Sequence, residues 1–309
     1  MGDGEFNLIN RLFRQDSGPR NSFTRLGIGD DASIHHPEEG MALAVSSDSS
    51  LQGVHWPDDF PLDKAADRAV CSALSDMAAM GAETRCIWLN VMATDSRAVA
   101  EMAQGAMRAL ARHDVELAGG DTCRAAVNAL SVTVAGQLPE GAAMQRDAAG
   151  SGDHIWLAGR VGWHALGLQQ WLAGRYDGEF VPCFEVITPL LQTGIKLRQA
   201  GVACCIDISD GLLQDAGHIA AASGVGMDIE ITALPDWELL CQAAGEASAL
   251  ALAAHGGEDY ALLFTAPDEL PVAEGLAVRI GRCRSGEGVS LLLNGKKIEI
   301  EKAGFDHFR

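Results

Sequence analysis

Positive charge is what this sequence has least of. Against 42 Asp and Glu stand 23 Lys and Arg, only five of them lysine, for a formal net charge of −19 at pH 7. Such a balance argues against nucleic acid and against an anionic membrane surface as partners. No apolar run approaches the roughly 18 residues of a membrane span, and Asp3, Glu5, Arg11 and Arg14 interrupt the stretch where an export signal would need continuity. A cytoplasmic location is the expectation. The eight cysteines contain no C-x-x-C pair, and several lie in apolar runs such as Val202–Ile206, so they read as reduced core residues rather than zinc ligands or a disulfide frame. Also missing are a P-loop, a dinucleotide fingerprint, the protein-kinase motif set, a nucleophile elbow and EF-hand spacing.

What is present fits a globular protein: 48% hydrophobic residues over 309 positions, enough for two cores of about 150 residues each. Phe6, Ile9 and Phe13 share a helical face, and Met41–Val45 reads as a buried strand. Ala66, Val70, Ala73, Leu74 and Met77 predict a helix over 63–80 that Gly81 stops. Further expectations are strands over 85–92, 115–118 and 129–138 and a helix over 96–113. After a stretch over 139–152 that is rich in Gly and Ala come strands over 154–157, 203–208, 227–231 and 260–265. Helices are expected near 163–173 and 189–200 and from Leu212. The reading is a mixed α/β protein with an N-terminal domain over 1–138, a linker over 139–152 and a C-terminal domain over 153–309.

The acids fall at polar edges of apolar segments: Gly27-Ile-Gly-Asp-Asp31, Ser46-Ser-Asp-Ser49, Leu74-Ser-Asp76, Gly119-Gly-Asp121 and Ile206-Asp-Ile-Ser-Asp-Gly211. Gly-Asp and Asp-Gly pairs are common in turns, which accounts for any one of them. Asp76 is harder to dismiss, since on its helix it shares a face with Ala69, Ser72, Ala73 and Met80, where an ionised carboxylate needs a partner. If these acids converge, each pair about 4 Å apart repels by roughly 4 kcal/mol at an effective dielectric of about 20. With lysine so scarce, a divalent cation is the natural counter-charge. Oxygen donors without His or Cys favour Mg2+, which characteristically bridges carboxylates to substrate phosphates.

Taken in order, the motifs resemble the thiamine-monophosphate kinase family. That family lies within the superfamily that includes aminoimidazole ribonucleotide synthetase, selenophosphate synthetase and a hydrogenase-maturation protein. The resemblance rests on Gly2-x-Gly-Glu-Phe6, Gly27-Ile-Gly-Asp-Asp31, Ser47-Asp-Ser49 with His55, Leu74-Ser-Asp-Met-Ala-Ala-Met-Gly81 and Gly119-Gly-Asp-Thr122. It continues through Arg146, Ile206-Asp-Ile-Ser-Asp-Gly211, Gly256-Gly-Glu-Asp-Tyr260 and Gly304-Phe-Asp-His-Phe308. It implies a homodimer of two-domain, synthetase-like chains whose N-terminal sheets pair, with the active site between the domains. It implies Mg2+ at Asp30, Ser46, Ser47, Asp48, Asp76, Asp121, Asp207 and Asp210. It also implies ATP contacts at Gly120, Asp121, Arg146 and Ser209, and thiamine monophosphate contacts at His55, Glu258 and Phe305. The catalytic set it implies is Asp30, Asp76, Asp121, Asp210 and Arg146, acting in transfer of the ATP γ-phosphoryl group to the acceptor phosphate. Three departures stand out: Ser47 and Ser49 replace the commoner threonines, Ala261 stands where an acid is usual, and Phe305 where tyrosine or tryptophan is common. Two rival readings remain, another ATP-dependent synthetase of the superfamily and a non-catalytic acidic module binding metal or nucleotide. The first cysteine, Cys71, lies inside a predicted helix, which weighs against a selenophosphate synthetase.

Overall fold

The computed structural model describes residues 5–13, 21–268 and 275–299, with side chains from residue 9 onward. Contacts divide the chain into two units, Met1–Met77 with Ala82–Gly141 and Ala78–Gly81 with Ala142–Arg309.

The first unit runs α1 (Glu5–Leu12), β1 (Thr24–Leu26), β2 (Ile34–His35), β3 (Met41–Leu51), α2 (Leu62–Met80), β4 (Glu83–Ala93), α3 (Ser96–His113), β5 (Glu116–Arg124) and β6 (Ala129–Pro139). Helix α3 has its ends written into the sequence. The Asp95 carboxylate accepts the Arg97 and Ala98 N–H groups, both at 2.9 Å. Arg112 lies in the last turn, where a cation suits the helix dipole, and Asp114 closes it at φ 53°. Helix α2 ends where expected, with Gly81 at φ +67°. Both helices are alanine-rich on their buried faces, as at Ala66, Ala69, Ala73, Ala103, Ala106 and Ala109. On one side Asp67 ties α2 to α3 by accepting from Arg112 at 2.6 and 3.0 Å and from Arg108 at 3.1 Å.

The main sheet of this unit has the order β3-β6-β4-β5, antiparallel except for β4 and β5, whose parallel pairing is permitted by the α3 crossover. Its strands alternate: Val132 and Val134 of β6 and Ile87, Leu89 and Val91 of β4 are buried on one face. The other face is open at β3, where Leu43 and Val45 are 54% and 57% exposed. Met41–Val45 is therefore not the buried strand that its apolar run suggests. It is the start of an edge strand covered on one face only.

The second unit runs β7 (His154–Ala158), α4 (Trp163–Leu172), α5 (Val181–Glu185), α6 (Leu191–Gln199), β8 (Cys204–Asp207), α7 (Leu212–Ser223), β9 (Gly226–Glu230), α8 (Trp237–Ala244), α9 (Glu246–His255), β10 (Leu262–Ala266), β11 (Val278–Arg284), β12 (Val289–Leu293) and β13 (Lys296–Ile298). Among the described residues its sheet has the order β13-β12-β9-β11-β7-β10-β8, antiparallel throughout except between β9 and β12. Strand β10 is buried along its whole length because both faces are packed. Ile155, Leu157, Ile206 and Leu263 join a core with α4, α7 and α9 residues, while Cys205, Leu262 and Phe264 join Ala78, Ala79, Met144, Leu197 and Val202.

All eight cysteines are free thiols. Burial pushes those of Cys71, Cys86 and Cys283 up to about 12, which makes them inert. The core assignment fails for Cys123, which is exposed at the end of β5, and for Cys183 and Cys241, which are half-buried. Among the described residues no helix is long and apolar enough to cross a membrane.

Candidate functional site

In the first unit a cleft of about 590 Å³ is walled by the 27–33 segment, by Trp88–Asn90 of β4 and by Leu117–Thr122 of β5, with Ile9 and Phe13 at one side. Asp30 and Asp121 both line it. Each carboxylate is turned back on the following amide: Asp30 Oδ1 accepts the Asp31 N–H and Asp121 Oδ1 the Thr122 N–H, both at 2.9 Å. Asp48 does the same with Ser49 at 3.1 Å. That local bond fixes the rotamer without neutralising the charge. Gly120, between Gly119 and Asp121, adopts φ +147°, and a side chain there would run into the Leu89 backbone. Glycine is required there by the close approach of the β4 backbone.

The sheet sorts the expected ligands by face. Pairing places Ser49, Ser131, Asn90 and Asp121 in one row across the four strands, and Ser47, Thr133 and Trp88 in the next. Ser47 Oγ lies 3.0 Å from Thr133 Oγ1 on this open face, and Trp88 Nε1 donates to Ser33 Oγ at 2.8 Å. Strand alternation sends Ser46 and Asp48 to the opposite face. There Ser46 Oγ donates to Asp76 Oδ2 of α2 at 2.5 Å, which supplies the partner that half-buried Asp76 needed. Within this unit the expected metal ligands therefore form two groups. Asp30 and Asp121 share the cleft on the side of the sheet where Ser47 lies, and Ser46 and Asp48 point to the other side, where Ser46 meets Asp76 of α2. His55 sits in the turn after β3, where its Nδ1 accepts the Leu51 N–H at 3.1 Å and so fixes the Nε2–H tautomer.

The second unit presents its own acids at the end of β8. Buried Asp207 closes the strand, and Ser209 and Asp210 follow half-exposed in the turn into α7. Asp215, one turn into α7, accepts the N–H groups of Ser209, Asp210 and Gly211, each at 3.1 Å. Burial is the main cause that pushes the Asp215 carboxyl up to about 7, with Asp210 and Asp207 adding to it. Gly211 has φ +115° and lies against the His255 backbone, so no side chain fits there. Among the described residues, Asp210, Asp215 and His218 form the one group of three whose ligand atoms all lie within 4.8 Å.

The Gly256–Tyr260 loop is stitched to this turn. Glu258 N–H donates to Ser209 O at 2.7 Å, Tyr260 N–H to Ile208 O at 2.8 Å, and Ile208 N–H to Ala261 O at 2.8 Å. Asp259 reaches the other way and caps α4 by accepting from Gly162 N at 2.7 Å and His164 N at 3.1 Å, and desolvation pushes its carboxyl up to about 7. Arg146 has an exposed side chain in the segment before β7, anchored by its carbonyl, which accepts the Ser223 hydroxyl at 2.9 Å. Phe305 lies outside the described residues. The sequence reading assigned no role to Asp215, Asp259, His164, Trp88 or Asn90.

Residues 29–138 match the family model described as "AIR synthase related protein, N-terminal domain". The thiamine-monophosphate kinase of Salmonella typhimurium is 34% identical over 328 residues, spanning 100% of this chain and 99% of that protein. The chain belongs to the thiamine-monophosphate kinase family. A crystal structure of thiamine-monophosphate kinase from Stenotrophomonas maltophilia K279a superposes with a TM-score of 0.81 at 33% identity, covering 90% of this chain and 93% of that one. A structure of AaThiL complexed with AMPPCP and TMP gives a TM-score of 0.79 at 27% identity, covering 88% and 89%.

For a thiamine-monophosphate kinase family member the donor chemistry decides which metal the site suits. The acids and serines at issue offer oxygen alone, and among the described residues no ion pair engages Asp30, Asp121 or Asp210. Hard oxygen donors left without a protein cation fit Mg2+.

Proposed function

We propose that this chain catalyses ATP-dependent phosphorylation of thiamine monophosphate to thiamine diphosphate, by in-line transfer of the γ-phosphoryl group to the acceptor phosphate. The observation that carries the reading is the cleft of the first unit, which Asp30 of the 27–33 segment and Asp121 of β5 both line. It is supported by the end-to-end match to thiamine-monophosphate kinases and by the bound molecules named for AaThiL.

The acceptor phosphate has a second pKa near about 6, so at pH 7 it is mostly dianionic and needs no strong general base. What the site must do is position two anions in line and offset their repulsion. Mg2+ would be held at separate places, by Asp30, Asp121 and Ser47 on the open face of the first sheet, by Ser46, Asp48 and Asp76 on its other face, and by Asp207 and Asp210 of the second unit, and would supply neutralisation of phosphate charge. Gly120 and Asp121 would contact the triphosphate from the β5 wall of the cleft, Ser209 offers a hydroxyl, and exposed Arg146 offers a guanidinium to the transferred group. Glu258 pairs with the positive thiazolium ring, and Phe305 offers it an aromatic face. His55, held as the Nε2–H tautomer, can donate to the acceptor.

The chain works as a homodimer in this account. Exposed Leu43 and Val45 on the open face of the first sheet support it, because a partner sheet would cover them. The place of action is the cytoplasm, and the N-terminal domain acts as the nucleotide and metal unit. Incubating the pure protein with ATP, Mg2+ and thiamine monophosphate should yield thiamine diphosphate by mass spectrometry. No product under those conditions refutes the reading.

A further inference from the structure

His164 has no part in the chemistry described so far, yet it is buried against a residue that does. Its side chain is 4% exposed, and its Nε2 lies 3.1 Å from Glu258 Oε2, whose side chain is 26% exposed. The loop that presents Glu258 is strained: Glu258 and Tyr260 have φ of 60° and 50°, the left-handed region that non-glycine residues avoid. Such strain persists where the surroundings over-determine it, and it gathers at binding sites. Here the surroundings are the backbone bonds to Ser209 and Ile208 and the cap that Asp259 places on α4. The turn of α4 that Asp259 pins is the one that carries the His164 ring to Glu258. Phe184, fully buried, packs against that ring edge-on with centroids 5.3 Å apart, which keeps it in place. Within the loop, Ala261 is apolar and 1% exposed and Asp259 is committed to α4. Glu258 is therefore the carboxylate the loop can turn outward.

We propose that His164 is a positioning residue for acceptor recognition: it holds the Glu258 carboxylate in the orientation that receives the cationic ring. This rests on the assignment of Glu258 to the acceptor site. Donating through Nε2–H, the imidazole fixes one oxygen of the Glu258 carboxylate. The partly exposed remainder of the carboxylate then meets the cation already oriented.

The test is steady-state kinetics of the native chain, H164L, H164Q, E258Q and the H164L/E258Q double variant. H164L should raise KM for thiamine monophosphate about tenfold, with KM for ATP and kcat within about twofold of native. H164Q, which keeps a side-chain N–H donor, should recover most of the loss. In the E258Q background H164L should add nothing, because its effect passes through Glu258. Multiplicative effects in the double variant, a matching rise in KM for ATP, or native behaviour of H164L each overturn the proposal. If H164L loses cooperative thermal unfolding, His164→Asn, too short to reach Glu258, replaces it with the same expectations. A native chain that forms no thiamine diphosphate defeats the functional reading and this inference with it. An active native chain with multiplicative variants defeats this inference alone.

Discussion

Removing the Asp215 carboxylate should weaken the second unit more than any exposed substitution could, and the size of the effect can be worked from its three bonds. In Asp215→Ala the N–H groups of Ser209, Asp210 and Gly211 lose a common acceptor at 3.1 Å. A buried donor left without a partner costs about 1–3 kcal/mol. Ser209 and Asp210 are half-exposed and can turn to water, whereas Gly211 is buried at the start of α7 and pays in full. The expected loss is therefore about 2–3 kcal/mol rather than three times the single-donor figure. Asp215→Asn keeps a side-chain oxygen that can accept and should lose about 1 kcal/mol. Urea unfolding followed by circular dichroism gives the comparison, read as the shift in midpoint at unchanged slope. A loss below about 0.5 kcal/mol in Asp215→Ala would show that the turn holds its shape without this acceptor.

Two further outcomes follow from the same geometry. Asn in place of Asp30, Asp76, Asp121 or Asp210 should lower kcat by about 100-fold or more while thermal unfolding stays within a few degrees of native, and near-normal turnover in all four would contradict their assignment. Burial by itself would raise the Asp67 carboxyl, but the guanidiniums of Arg112 and Arg108 hold it below the ordinary carboxylate value. A carboxyl depressed in the folded state contributes stability above its unfolded pKa and loses it as pH falls through the folded one. Asp67→Asn should therefore cost about 1–3 kcal/mol at pH 7, discounted for the 40–43% exposure of the two arginines. The difference should fade as pH drops below the usual carboxylate range; a gap that persists at pH 2 would refute the electrostatic origin.

Periodicity and end signals made α2 and α3 readable, whereas α5, α8 and α9 of the second unit were not anticipated. Ala66, Val70, Ala73 and Met77 marked α2 and Gly81 its stop, while residues 96–113 came out as α3 to the residue. Strands were harder, because an apolar run does not say which of its faces will be covered. Met41–Val45 carries the side chains of an interior strand, but its place at the sheet edge leaves Leu43 and Val45 in the open. Gly119-Gly-Asp121 looks like a turn, yet pairing with β4 carries β5 on to Arg124. A glycine there serves close approach to Leu89 rather than chain reversal.

The acids of the site were visible as residue types at segment edges. Their sorting was only half legible. Alternation along β3 separates Ser47 from Ser46 and Asp48 in the sequence itself, but placing Asp121 on the face opposite Asp48 requires the strand order. Asp259 and His164 act across almost a hundred residues of chain, through a helix cap and a side-chain pair, and no spacing rule reaches that far. Asp215 left a signal that could have been used. An acid in the first turn of a helix that follows a glycine suits the exposed N–H groups there.

The claim on which the account stands is that phosphoryl transfer goes to thiamine monophosphate and not to water. Measuring ADP release and thiamine diphosphate formation in the same reaction tests it most directly. Transfer to the acceptor gives the two in one-to-one ratio, with ADP release falling to background when thiamine monophosphate is withheld. ADP released at the same rate with and without thiamine monophosphate, or acceptor left unchanged while ATP is consumed, would contradict it.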